Sequence, residues 1–281
     1  MPTFETPQPI SATIEPVVGD VTIVASDRSD TIVDVRPSDP DNESDVEAAE
    51  RTTVDFSGGT LTVKAPKPSP FNWSNKTRSI TVRVELPTGS DLHGSAAMGD
   101  VTVTGRLGDV AYKTSAGNIQ LDEAATVSAR TSAGDVLGTR FTGRSTVSTS
   151  SGRLHVGELV EGGELKNSNG TTVVGATGGP LKARASNGAI TVEVAADDVE
   201  AKTAMGAVRV LDVRHGSLAL ETAMGDIEVG VREGTAAWLD VTTKLGRVRN
   251  EMESSGAPDQ HADKVEVRAS TALGDITVRR A

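Results

Sequence analysis

The sequence predicts an all-β protein: a single elongated β-solenoid with two short strands per repeat of about 18 residues, preceded by an irregular N-terminal β region that caps it. Three observations carry this. Ten times a small residue leads into a glycine and then an apolar-x-apolar run, at Gly99, Gly117, Gly134, Gly152, Gly170, Gly188, Gly206, Gly225, Gly246 and Gly274, with spacings of 18, 17, 18, 18, 18, 18, 19, 21 and 28 residues. One Tyr, two Trp and four Phe in 281 residues leave the core to Val, Ile, Leu, Ala and Thr, which makes it thin. Twenty-nine glycines with frequent Val/Thr alternation suit short strands and tight turns, and no window holds a helical period.

Residues 1–90 carry a looser form of the pattern. VVGDVTIVAS around Gly19 and SGGTLTVKAP around Gly59 read as two further glycine-to-strand units, with TIVDVRP and SITVRVELP as alternating strands beside them. Two stretches break the rhythm. The acidic segment 37–50 reads as a solvated loop or short helix, and the Pro/Ser/Asn-rich segment 65–79 as a loop. Residues 91–281 form the regular part, and a third insertion at 250–264 accounts for the last, longest interval.

Within the regular part, apolar residues stand seven and five positions before each glycine, as in Val199/Ala201 and Leu218/Leu220, and two and four after it, as in Ile190/Val192 and Val208/Val210. Because side chains alternate along a strand, these are the buried faces of two strands, with the glycine as the corner between them. An antiparallel meander would also return such residues to one face, but some twenty strands of it would leave one apolar face uncovered. A coil covers its own core, so Ile190, Val208 and Ile227 should be neighbours at the ~4.8 Å spacing of adjacent strands.

Composition bounds the function. The net charge of −11 disfavours general attraction to nucleic acid or an anionic bilayer. Cysteine is absent, which excludes disulfides. The opening MPTFETPQPISATIEP has neither a basic start nor an apolar run, and no stretch approaches the ~18 apolar residues of a membrane span, so a cytoplasmic location is the default expectation, with association at the inner side of the envelope as its variant.

The segments GDVTIVASDRSDTIVDVRPSDP and LPTGSDLHGSAAMGDVTVTGRLGDVAYKTSAGNIQLD, with the later TAMGDIEV and TALGDITV copies, resemble the bacterial putative-adhesin family of unknown function built from β-strand repeats and related to toast-rack domains, in its actinobacterial form. The resemblance covers residues 19–281. It implies a β-helical or toast-rack-like fold and brings no catalytic motif with it; some toast-rack relatives accompany envelope-stress modules.

Several residue groups invite a chemical reading. Gly-Asp pairs at Asp20, Asp100, Asp135, Asp226 and Asp275 suggest calcium, yet each corner offers one carboxylate where a calcium solenoid needs several, so turn chemistry is the better account and no metal or cofactor is expected. Asp197, Asp198 and Glu200 form the densest acidic group of the regular region and could do acid-base work, but they fall at a turn where solvated charge is ordinary. His93, His155, His215 and His261 are scattered and show no ligand or triad spacing. Three positions before the glycines run Thr114, Thr131, Thr149, Asn167, Ala185, Thr203, Thr222, Thr243 and Thr271, whose parity makes them an inward structural ladder.

Four positions before the glycines, on the outward face, stand Lys113, Arg130, Ser148, Lys166, Arg184, Lys202 and then Glu221. Stacked cations ~5 Å apart in water repel by roughly 0.8 kcal/mol per pair before screening. Glu164 and Glu200, two residues away on the same face, can neutralise them. The alternative is a basic stripe that docks an anionic partner: an acidic protein segment, lipid headgroups or a polysaccharide. Three positions after the glycines, Arg209, Glu228 and Arg249 should alternate in sign on successive rungs. The expected function is a non-enzymatic scaffold or interaction module, linked to envelope stress or membrane-associated complexes. Its rivals are a surface adhesin or glycan binder, a polysaccharide-processing enzyme and a filament-forming protein.

Overall fold

Most rungs of the structure turn on a glycine whose Cα sits against the carbonyl of the glycine one rung before. The structure, a computed structural model, describes residues 1–66, 78–252 and 263–281. It divides into two units, Met1–Leu137 and Gly138–Ala281. Each is built of two sheets; the pairings described in Gly138–Ala281 are all parallel, and those in Met1–Leu137 are parallel except at its outer strands. Parallel pairing between elements one coil apart defines a β-solenoid, in which every strand has equivalent residues above and below it.

In the unit Gly138–Ala281 one sheet stacks Ser145–Ser151, Gly163–Asn169, Leu181–Asn187, Val199–Met205 and Gly216–Met224 in that order. The other stacks Leu154–Leu159, Thr172–Thr177, Ile190–Ala195, Val208–Val213 and Ile227–Val231. Ile190, Val208 and Ile227 are register partners on successive rungs and all are fully buried. Facing them across the thin core is the column Val147, Leu165, Ala183, Ala201 and Leu220, also buried. The two apolar offsets on each side of the glycine are thus the two walls of one interior.

Three ladders of polar contacts hold the corners. A Cβ placed on Gly170 would lie 2.0 Å from the Gly152 carbonyl oxygen, and one on Gly206 would lie 2.4 Å from that of Gly188. Both glycines also have φ near +135° (+134° and +137°), a region L side chains avoid. The carbonyl so approached is then satisfied from inside. Thr131 donates to Gly117 O, Asn167 to Gly152 O, Thr203 to Gly188 O, Thr222 to Gly206 O and Thr271 to Gly225 O, all at 2.9–3.1 Å. On the outer side the residue after the glycine accepts from the next rung: Asn118 N–H donates to Asp100 Oδ1 at 2.7 Å, Asp135 N–H to Asn118 Oδ1 at 2.8 Å, and Asp275 N–H to Asp226 Oδ1 at 2.8 Å. The Gly-Asp carboxylates therefore cap backbone donors.

The unit Met1–Leu137 contains the irregular elements. Its first coil, Ser11–Val18 and Val21–Ser26, turns at Gly19 and lies between two others: Thr60–Lys64 with Ile80–Pro87 on one side, Asp91–Met98 with Val101–Leu107 on the other. Beyond it the sheets close with antiparallel strands: Asp30–Pro37 on Ile80–Pro87, Thr3–Glu5 on Asp30–Pro37, and Thr53–Ser57 on Thr60–Lys64. The acidic stretch contains the helix Glu43–Glu50, capped by the Asn42 side chain accepting from Ser44 N–H. Its buried Asp45 accepts from Ser79 N–H at 2.8 Å and Asp39 N–H at 3.3 Å, which pins the helix to both flanking segments.

Three expectations need correction. Gly59 is not a solenoid corner: Gly58 and Gly59, with φ of +57° and +77°, form the two-residue turn of an antiparallel hairpin in which Ser57 faces Thr60. Gly246 lacks the positive φ of the other corners, although a Cβ there would still meet Gly274 O at 1.9 Å. It belongs to the last coil, Ala236–Leu245 with Val248–Asn250, which among the described residues has a neighbouring coil on one side only. Nor does this coil follow its predecessor in space. The C-terminal coil, Lys264–Leu273 with Ile276–Arg280, inserts between Gly216–Met224/Ile227–Val231 and Ala236–Leu245/Val248–Asn250. Arg249 consequently lies beside Thr277 instead of Glu228, and Glu228 is paired by Arg209 at 3.6 Å and Arg279 at 3.0 Å. The loops expected at 65–79 and 250–264 fall largely outside the described residues.

The corner geometry makes a direct prediction. Gly170→Ala should destabilise the protein by about 3 kcal/mol, because a positive φ and a backbone clash coincide. Gly58→Asn, at a left-handed position with nothing within 4 Å of an added Cβ, should stay within about 0.5 kcal/mol of the parent. Urea unfolding followed by circular dichroism compares the two.

Candidate functional site

The outward face of a solenoid strand shows every second residue, and parallel register turns those residues into columns. In the unit Gly138–Ala281 the fourth position before each glycine forms the column Ser148, Lys166, Arg184, Lys202, Glu221. Two residues earlier on the same face runs the column Thr146, Glu164, Lys182, Glu200, Ala219. Side by side these make a charge lattice. Lys166 contacts Glu164 at 3.0 Å; Glu200 holds Arg184 at 3.2 Å, Lys182 at 3.3 Å and Lys202 at 3.8 Å; and Glu221 takes Lys202 at 3.3 Å.

The carboxylates respond accordingly. Hydrogen bonding from Lys166 holds Glu164 below the ordinary glutamate range. At Glu200 burial pushes upward, but hydrogen bonds and charge from Arg184 and Lys182 outweigh it and the net shift is also downward. A general acid needs the opposite shift. Asp198, the other member of the acidic group, accepts from Ser217 N–H at 2.7 Å, and Asp197 accepts from Asp198 N–H at 2.7 Å, so both carboxylates serve turns.

In the unit Met1–Leu137 the same outward position behaves differently. Lys113 and Arg130 are register partners on adjacent rungs, with Ser95 beyond Lys113. The column two residues earlier holds His93, Ala111 and Ser128 and supplies no carboxylate. Both cations are exposed and, among the described residues, neither has an ion pair. Lys113 also borders an open groove of about 570 Å³ that includes Glu15, Val17, Ser95 and Ser115. The five cations of the expected stripe are thus of two kinds: Lys166, Arg184 and Lys202 are largely compensated, whereas Lys113 and Arg130 are available.

The remaining candidates disperse. His93 is half-buried while His155 and His215 are exposed on separate strands and turns, and His261 lies outside the described residues. No group of three His, Cys, Asp or Glu side chains that could hold a metal ion occurs among the described residues. No helix among them is long and apolar enough to cross a membrane. The threonine ladder faces inward, with Thr114, Thr131, Thr203, Thr222 and Thr271 all buried, and so presents no outer array.

Two surface features escaped the sequence reading. The position just before the glycine carries Met205, Met224, Leu273 and Leu245 on four consecutive rungs, each about half exposed or more, as an apolar ridge along the corner. Trp238 stands outward on the strand Ala236–Leu245, 56 % exposed, beside an open groove of about 610 Å³ lined by Asp198, Ser217, Lys264 and Glu266. Trp238 stands at an even offset before Gly246, the outward parity that also marks Lys113 and Arg184, whereas the ridge stands at an odd offset shared with the buried Val199, Ala201 and Thr203 and is nevertheless exposed next to the corner. Lys182, which completes the lattice around Glu200, was legible by the outward parity.

The charge lattice carries a pH signature. Glu164 and Glu200 have folded-state values below their unfolded ones, so their contribution to stability is complete above the ordinary glutamate value of 4.5 and is lost as pH falls through the lower folded values. Glu200→Gln should therefore lower the melting temperature at pH 7 by a few degrees or less, and the difference from the parent should shrink progressively as pH falls below 4.5. Thermal melts across that range measure it.

The family model described as Toastrack DUF4097 matches residues 10–279. No curated protein sequence matches the chain. Similar solved structures include a putative adhesin from Bacteroides fragilis NCTC 9343, at 13% identity over 99% of this chain and 95% of that one with a TM-score of 0.45. A putative adhesin from Parabacteroides distasonis ATCC 8503 aligns at 10% identity over 98% and 95% with a TM-score of 0.49. A putative lipid binding protein from the same organism aligns at 13% identity over 100% and 95% with a TM-score of 0.34.

Proposed function

The chain belongs to the Toastrack DUF4097 family, and from that premise we propose that it is a non-enzymatic β-repeat interaction module that presents an outward cationic strip to an anionic partner. The observation that carries this reading is the uncompensated pair Lys113 and Arg130 on adjacent rungs of a protein whose net charge is −11. Two cations held ~4.8 Å apart by the register repel each other, and an anionic group lying across both relieves that repulsion. The compensated residues Lys166, Arg184 and Lys202 contribute less, since a ligand must first displace Glu164, Glu200 and Glu221. Membrane-associated complexes are the setting proposed for such a module.

Binding separates this reading from its rivals. Polyglutamate, polygalacturonate and vesicles containing phosphatidylglycerol represent an acidic segment, an anionic glycan and a lipid surface. The parent should bind at least one of them at low salt, and the double variant Lys113→Glu, Arg130→Glu should lose that binding by tenfold or more with its circular dichroism unchanged, roughly as reversal of two phosphate-like contacts predicts. Reversing Arg184 and Lys202 should cost less. Unchanged affinity in the Lys113/Arg130 variant would remove the strip from consideration.

One observation favours a second reading. Trp238 offers an exposed aromatic face beside the hydrogen-bonding groups of Asp198, Ser217 and Glu266, an arrangement suited to stacking against the apolar face of a sugar ring. If the module binds neutral glycan there, Trp238→Ala should abolish retention on oligosaccharide arrays while leaving binding of the anionic probes intact.

A further inference from the structure

We propose that two copies of this chain pair through the free edge of the strand Ala236–Leu245, antiparallel and centred on Thr242. A solenoid buries each coil between neighbours, and the coil at the end of a stack needs a cap. In the unit Met1–Leu137 the outer strands supply one, through antiparallel pairing and the helix Glu43–Glu50. In the unit Gly138–Ala281 the strands Ala236–Leu245 and Val248–Asn250 end their sheets, each with a hydrogen-bonded strand on one side only among the described residues. Their core-facing residues show the consequence. Leu239 and Val241 are half-buried where their partners Val267 and Ala269 are buried, and Val248 is 45 % exposed where its partner Ile276 is fully buried.

A ten-residue free edge is a template for another strand. Ala236 donates its N–H inward to Asp263 O, so the alternate residues Ala237, Leu239 and Val241 direct their peptide groups outward to the free edge. The sequence of this edge is complementary to itself. When two copies meet antiparallel about Thr242, Asp240 of each faces Lys244 of the other on the outer side, and Thr242 faces Thr242, all exposed in the single chain. On the other parity Val241 meets Thr243, and Leu239 meets Leu245 of the exposed corner ridge, which brings apolar residues of two open ends together. Val241 then exchanges peptide hydrogen bonds with Thr243, and Thr242 falls at a non-hydrogen-bonded pair. Pairing of this kind is isologous and closes as a dimer, not a filament.

The full chain tests this by sedimentation velocity and light scattering at about 1–100 μM, a range that brackets micromolar association. A dimer is expected. Asp240→Lys and Lys244→Asp should each weaken dimerisation roughly tenfold, since each places like charges opposite one another twice across the axis, and the double swap should restore it. Absence of natural cysteine permits a second, covalent readout. Thr242→Cys should form an intermolecular disulfide under mild oxidation, because facing residues of a non-hydrogen-bonded pair have Cα atoms about 4.5 Å apart, within disulfide range. Trp238→Cys, which would face Gly246, should not. A parent that stays monomeric to 100 μM, a dimer indifferent to Asp240→Lys, or a double swap that fails to restore association would overturn the proposal.

Discussion

The contact on which the structure depends is the stacking of one glycine Cα on the carbonyl oxygen of the glycine a coil earlier. It brings backbone to backbone at a separation that leaves no room for a Cβ, and it sets the corner φ in a region that glycine alone enters freely. Once that approach is made, the carbonyl is shut off from water and must find a donor. The threonine three residues before the next glycine provides it, as Thr222 does for Gly206. The Asx side chain after the glycine does the complementary work for the amide outside, as Asp226 does for Asp275. Steric fit, inner hydroxyl and outer carboxylate thus belong to one device repeated along the chain.

With the corner settled, the remaining side chains sort by parity. Inward positions make a core narrow enough for Val, Ile, Leu and Ala, with Tyr112 as a large exception. The ring of Tyr112 lies over Gly94, which leaves it space, and burial pushes its phenol far above the ordinary range. Outward positions become columns whose members are far apart in sequence and adjacent in space. Among them, Glu200 is held below the ordinary glutamate range, because hydrogen bonds and charge from Arg184 and Lys182 outweigh the upward push of burial. A face of this kind is suited to recognition by repeated contacts.

The candidate strip shows how far a sequence reading reaches. Lys113, Arg130, Lys166, Arg184 and Lys202 share one offset from the glycine, and Glu164 and Glu200 share another, so the stacking of cations and the presence of nearby carboxylates were both legible. Which cation each carboxylate serves was not. Glu200 gathers three because the preceding rung brings Lys182 and Arg184 within reach and its own strand brings Lys202, whereas Lys113 and Arg130 find only Ala111 and Ser128 at the corresponding places. Trp238 has the outward parity, but an apolar residue in a β-rich sequence gives no local sign that it faces water, and the ridge from Met205 to Leu245 carries the inward parity yet is exposed next to the corner.

The rung was legible residue by residue in its period, its corner, its buried and exposed faces and the inward set of the threonines, because these depend on contacts within a coil or between near-identical coils. The order of the coils at the ends came from packing in three dimensions. The coil of Ser11–Val18 lies inside that of Thr60–Lys64, and the C-terminal coil slides back inside Ala236–Leu245. Every coil presents nearly the same edges to its neighbours, so repeat identity cannot say which neighbour a terminal coil will take. That choice rests on non-local packing, and it is what separates Arg249 from Glu228 and leaves the strand from Ala236 to Leu245 with a free side.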